Sequence, residues 1–221
     1  LSMNLVNRLQ TLYAWTPSSR LVSRKPAPRE PNFTVPQTTG IMGWIVLTYE
    51  NNVPVCSWIT ARESCVISVC LDERLFGDTI FRAEKVNNKY VISDVFIYNS
   101  SCIFNCSTFK QRYDWTKELL TRFYRRGLAE FIHKSDLPEN TKLRGHEVYD
   151  FKEGSHGCFV EVDNTETIIS TEIPDVYNLK GKEGYLLVPD LKTSEFLRSK
   201  GTEFKLKCIP KNGNWEVILP N

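Results

Sequence analysis

The alternation of apolar and polar positions becomes strand-like at Gly40 and stays so for much of the chain. Before that point, residues 1–12 (LSMNLVNRLQTL) have the spacing of a short amphipathic helix. From Trp15 to Thr39 the chain carries Pro17, Pro26, Pro28, Pro31 and Pro36 with few aliphatic residues. That composition predicts an extended arm on the surface, which separates residues 1–39 from a body over 40–221.

Within the body, residues 45–49, a turn at Glu50-Asn51-Asn52 and a return over 53–59 predict a hairpin. Residues 65–70 read as a third strand, and 79–86 with 89–98 as a second hairpin turning at Asn87-Asn88. Asp114 has N-cap chemistry for a helix whose apolar residues Trp115, Leu119, Phe123, Leu128 and Phe131 follow helical spacing. Strands are expected again over 157–162, 167–170, 183–188, 203–209 and 215–219. Many strands with one prominent helix and no βαβ alternation predict an antiparallel α+β fold.

Composition changes this picture little. The chain of 221 residues is 41% apolar and 24% charged, with a net charge of +2, which is ordinary for a globular protein. The charge is uneven, however. Residues 110–134 carry Lys110, Arg112, Lys117, Arg122, Arg125, Arg126 and Lys134, and the stretch from Lys180 to Lys211 is lysine-rich. Such segments can frame a phosphate-binding face, or simply be solvated surface.

The seven cysteines lack CxxC spacing, and no histidine stands near enough to Cys65/Cys70 or Cys102/Cys106 to complete a zinc site. Free buried thiols of a reducing compartment are the expectation, with no metal and no cofactor. No secretory segment and no run of about 20 apolar residues is present. These features predict a soluble cytoplasmic or nuclear protein with no membrane partner. Compact length and dense cysteines also suit a viral protein. His146, His156 and Cys158 can be drawn as a Cys/His arrangement, but coincidence is the better account of so loose a group.

The segment over 78–115, DTIFRAEKVNNKYVISDVFIYNSSCIFNCSTFKQRYDW, resembles the middle of the covalent nucleotidyltransferase superfamily, which includes mRNA guanylyltransferases and polynucleotide ligases. Glu84 and Asp94 fall at the family's two acidic strand positions, and Arg112 at the arginine before its helix. Lys182-Glu183-Gly184-Tyr185-Leu186-Leu187-Val188 resembles the family's EGxxxK/P strand, and Glu203-Phe204-Lys205-Leu206-Lys207 its closing xKxK strand. The resemblance implies a nucleotide site. Lys205, Lys207 and Arg112 would meet phosphates, Glu84 and Glu183 would meet the base or ribose, and Asp94 would be either structural or at the pocket floor. Period-2 alternation alone puts Lys205 and Lys207 on one strand face.

The family's enzymes attack the triphosphate with a lysine on an upstream strand. Between Pro26 and Glu84 this sequence has none: Ser57 falls at that position, and the nearest upstream lysine is Lys25. The short run of chain after Lys207 leaves no room for the family's C-terminal OB-fold domain, so none is expected. The chain is therefore similar to the non-catalytic snurportin-type cap-binding domains. There Gly43-Trp44-Ile45-Val46 matches a WIVV strand, and Trp44 becomes a candidate to stack on a methylated guanine.

The resulting expectation is a protein that is not an enzyme and binds an RNA 5′ cap or guanine nucleotide. Its Pro-rich arm is available to a protein partner. The alternative is a decayed nucleotidyltransferase fold acting as a protein scaffold, its cleft filled or bridged by salt links.

Overall fold

A computed structural model describes residues 3–19, 22–23, 32–150, 156–161 and 164–219. The chain forms two compact units, Leu1–Glu161 and Val162–Asn221, and its architecture is α+β. Much of the proline-rich arm, with Lys25, and the strand end expected at Val162 lie outside the described residues.

In the first unit, helix α1 (Met3–Tyr13) precedes β1 (Val22–Ser23) and β2 (Asn32–Thr38). A large sheet follows from β3 (Ile41–Glu50), β4 (Val53–Ile59), β5 (Ser64–Val66), β6 (Thr79–Val86), β7 (Lys89–Tyr98) and β8 (Ser101–Cys102). Its order is β5-β4-β3-β6-β7-β8. After helix α2 (Phe109–Phe123), β9 (Glu130–His133) joins the same sheet parallel to β7. Then β10 (Leu143–Asp150) and β11 (Gly157–Glu161) form a small sheet ordered β1-β11-β10-β2.

Both hairpins stand where the sequence predicts them. Asn51 and Asn52 both take positive φ (50° and 63°), the left-handed pair that a two-residue hairpin turn needs and asparagine tolerates. The end of the expected arm is instead a strand, β2, at the edge of the small sheet. Pro36 is tolerated there because an edge strand can spare a backbone donor.

Helix α2 starts earlier than Asp114. Thr108 is its N-cap and forms a reciprocal capping box with Gln111, while Asp114 lies inside the helix and pairs with Lys110. The helix ends at Phe123, so the helical spacing beyond it is fortuitous: Leu128 is exposed, and Phe131 is a strand residue facing the core.

Strand β3 is buried on both faces. Ile45 and Leu47 point to a core shared with Leu119 and Leu120 of α2. Trp44 and Val46 point to a second core that α1 covers with Leu5 and Leu9 and that Trp15 completes.

The second unit contains β12 (Thr165–Ser170), β13 (Tyr177–Leu179), β14 (Leu186–Leu187), α3 (Leu191–Arg198), β15 (Glu203–Lys211) and β16 (Asn214–Val217). Helix α3, absent from the sequence reading, is capped by the Asp190 carboxylate on the Thr193 N–H. The sheet order is β13-β12-β15-β16-β14, and an antiparallel bridge between Asn178 and Tyr185 joins its two ends. Following the chain, the circuit is first-second-third-fifth-fourth strand, with the helix between the third and fourth and the third parallel to the fifth. That is the arrangement of a small OB-type barrel. The expectation of no OB-fold domain is not confirmed by this circuit. The barrel is small, and it already contains the strands read as closing a larger sheet.

Candidate functional site

The residues singled out from sequence fall into two groups. Trp44, Glu84, Asp94 and Arg112 belong to the first unit, and Glu183, Lys205 and Lys207 to the second.

In the first unit, six charged side chains meet where the large sheet faces β10 and the N-terminal turn of α2. Arg82, Glu84, Asp94, Arg112, Lys134 and Glu147 are each 5% exposed or less. The pattern of β7 does not announce this. Strict alternation from Tyr90 and Ile92 would turn Asp94 toward the α2 core, but a register shift after Ile92 places it opposite Arg82 instead.

Arg82 donates to both oxygens of Glu147, at 2.8 and 3.1 Å. Glu147 also accepts from Gln37 at 2.9 Å and from the Tyr149 hydroxyl at 2.7 Å. Lys134 donates to Oε1 of Glu84 at 3.1 Å and lies 3.8 Å from Glu147. The other oxygen of Glu84 accepts from the Thr38 hydroxyl at 2.8 Å and the Thr38 N–H at 3.2 Å. Arg112 grips Asp94 with Nε at 2.8 Å and Nη2 at 3.2 Å, and donates from Nη1 to the Ser107 carbonyl at 2.9 Å.

Three cations thus face three carboxylates, and each has a partner inside the fold. Burial opposes ionisation of Glu147, but Arg82 and Lys134 outweigh it and hold the carboxyl well below the usual carboxylate range. Burial pushes Asp94 upward against the pull of Arg112.

Trp44 is equally enclosed. Trp15 packs edge-on at 5.6 Å, Phe96 lies at 6.0 Å, and the indole N–H donates to the Pro17 carbonyl at 3.1 Å. Ser57 is fully buried on β4, and its hydroxyl has no hydrogen-bond partner among the described residues.

The second group is exposed. On β15, Phe204, Leu206 and Cys208 turn into the barrel, while Lys205 and Lys207 turn outward. They pair across to β12 with Thr167 and Thr165. Glu183 is exposed on the loop before β14, where its carbonyl accepts the Trp215 indole N–H at 2.8 Å. Two lysines whose Cα atoms stand about 6.8 Å apart along one strand, with threonines on the next, can hold phosphate oxygens.

Sequence reasoning missed Arg82, Lys134 and Glu147, whose roles depend on elements far apart in the chain. Tyr185, inside the stretch from Lys182 to Val188, has no sequence signal that marks it as a ligand residue.

No disulfide bond occurs among the described residues. Cys56 and Cys208 are buried, whereas Cys65, Cys70 and Cys106 are exposed, contrary to the expectation of buried thiols. No group of three or more metal-ligating side chains occurs among the described residues, and no described helix is long and apolar enough to cross a membrane. Neither a scan against protein-family models nor a search of curated proteins finds a match to this chain.

Proposed function

We propose that this chain is a non-catalytic, nucleotidyltransferase-like binder of capped RNA or a guanine nucleotide, and that it takes the ligand's phosphates on Lys205 and Lys207. The observation that supports this most is the pair itself. Both lysines are exposed on one outward face of β15, beside threonine side chains and without an acidic partner within salt-bridge distance among the described residues. Glu183 supplies an exposed carboxylate suited to ribose hydroxyls or guanine N–H groups.

Covalent nucleotidyl transfer of the family's kind does not fit the residues present. Ser57 has no amine, and it is closed inside a strand core. In this reading Trp44, Glu84, Asp94 and Arg112 maintain the fold and do not touch the ligand. A second reading, a protein scaffold on a decayed nucleotidyltransferase fold, is favoured by the salt-linked interior of the first unit.

A fluorescence titration with methylated and unmethylated cap dinucleotides, and with ATP as control, separates the two. Saturable binding that prefers a cap and weakens at least severalfold in Lys205→Ala and Lys207→Ala is the expected result. Absence of binding to every ligand, with the protein folded, leaves the scaffold reading.

A further inference from the structure

The outward residues of the barrel form a continuous surface that can be followed from register to register. Tyr185 bridges to Asn178, Asn178 pairs with Ile169, and Ile169 pairs with Glu203. One row further along, the Lys180 N–H bonds the Thr167 carbonyl, and Thr167 pairs with Lys205. In the row beyond that, Thr165 pairs with Lys207. Directly paired residues share a sheet face, so an aromatic ring and three lysines all lie on the outer surface of the barrel.

Tyr185 is 57% exposed, and its side chain has no hydrogen bond or ring contact among the described residues. Its position is nonetheless rigidly set. Its backbone N–H bonds the Asn214 side chain at 3.0 Å, and its carbonyl accepts from the Trp215 N–H at 3.0 Å. Gly184, at φ +86°, runs so close to the β15–β16 turn that a Cβ there would sit 2.3 Å from the Gly213 carbonyl oxygen. An exposed ring held on a fixed backbone loses little freedom on stacking a flat ligand. Every nucleobase presents such a face.

We infer that this outward face is a track for single-stranded RNA, in which Tyr185 stacks on a base and Lys205 and Lys207 neutralise successive phosphates. The inference rests on the proposed RNA-binding reading and extends it from the cap to the chain that follows. Lys180 is held back in this arrangement. Its ammonium lies 3.6 Å from the Glu203 carboxylate on the same face, and that carboxylate also repels phosphate. Glu203 therefore sets the affinity downward and keeps the number of engaged phosphates near two.

The test uses an uncapped, unstructured oligouridine of about ten nucleotides, within the span that one OB barrel covers, and follows affinity against salt. Two phosphate contacts on a single strand give a log–log slope of about −1.4, and Lys205→Ala reduces it to about −0.7. Tyr185→Ala weakens binding by about tenfold with no change in slope, since stacking releases no counterions. Glu203→Gln frees Lys180, tightens binding and steepens the slope toward −2.1, roughly three contacts. Unchanged thermal unfolding of each variant shows that the surface alone was altered.

Oligouridine binding that ignores Tyr185→Ala and Lys205→Ala overturns the track. Cap-dinucleotide binding without oligouridine binding overturns it as well and leaves the proposed function standing. Failure of both ligands removes both.

Discussion

The interior of the first unit and the outer face of the barrel are built from the same residue types and use them in opposite ways. Inside, Arg82, Lys134 and Arg112 meet Glu147, Glu84 and Asp94 with no charge left over. On the barrel, Lys205 and Lys207 stand in solvent, and the nearby Glu203 pairs with Lys180. A buried charge removed from water must find a partner within the fold, and one so paired has little capacity left for a ligand. An exposed charge contributes almost nothing to stability and keeps its capacity whole. Exposure, not residue type, is what separates a candidate ligand residue from a structural one here.

The contrast breaks most sharply at Glu147, which joins Arg82, Lys134, Gln37 and Tyr149. Replacing Glu147 with leucine leaves two buried cations facing an apolar group. The expected loss is about 3–5 kcal/mol of unfolding free energy by urea titration. A loss below about 1 kcal/mol would mean that water reaches the network and that it is not an interior at all.

The next effect in size concerns Asp94 and Arg112. Each single change, Asp94→Asn or Arg112→Met, should destabilise by about 3 kcal/mol or more, because the surviving partner stays buried. The double variant should cost less than the sum, with a coupling of about 1–3 kcal/mol. It will not return to the parent value, since Arg112 also donates to the Ser107 carbonyl and lies over the Phe104 ring at 4.7 Å. Strict additivity would show that Arg112 acts through those other contacts and not through Asp94.

A third effect of about 3 kcal/mol or less depends on pH. His133 is buried. Its Nε2 pairs with the Tyr113 carbonyl at 2.9 Å, and its Nδ1 accepts the Ser135 N–H at 3.2 Å, which caps the turn carrying Lys134. Burial drives its pKa down to about 4, against the Tyr113 carbonyl and Asp136, which favour the charged form. The unfolded chain therefore takes up this proton first. Stability from this group is complete above about pH 6.5, falls as pH drops toward 4, and is flat below. Denaturation midpoints measured across that interval should decline, and His133→Gln should flatten the decline.

How far this contrast could be read from sequence depends on how local each feature is. The hairpins at Asn51-Asn52 and Asn87-Asn88 are set by residues within a few positions of each other, and so is the outward alternation of Lys205 and Lys207. The interior was not legible. On β10 an inward position is held by Glu147, which inverts the usual apolar-in pattern. Asp94 changes face through a bulge that leaves no mark in composition. Lys134 reads as surface and is instead 1% exposed, because only the folded chain brings Glu84 and Glu147 to it. The barrel was missed for a related reason. Its circuit closes through a single Asn178–Tyr185 bridge beside the two-residue strand β14, too short for any periodicity to register.

The smallest expected effect completes the comparison. Lys205→Ala and Lys207→Ala should each change unfolding free energy by no more than about 0.5 kcal/mol, because both side chains are exposed and neither is ion-paired among the described residues. The same substitutions are the ones expected to weaken cap and RNA binding. Equilibrium unfolding and ligand titration on the same preparations therefore give opposite rankings: Glu147→Leu dominates the first, and the two lysine variants dominate the second. If the lysine variants lowered stability as much as the interior ones, the barrel face would be packed against something, and its lysines would belong with Arg82 and Lys134 as structural charges.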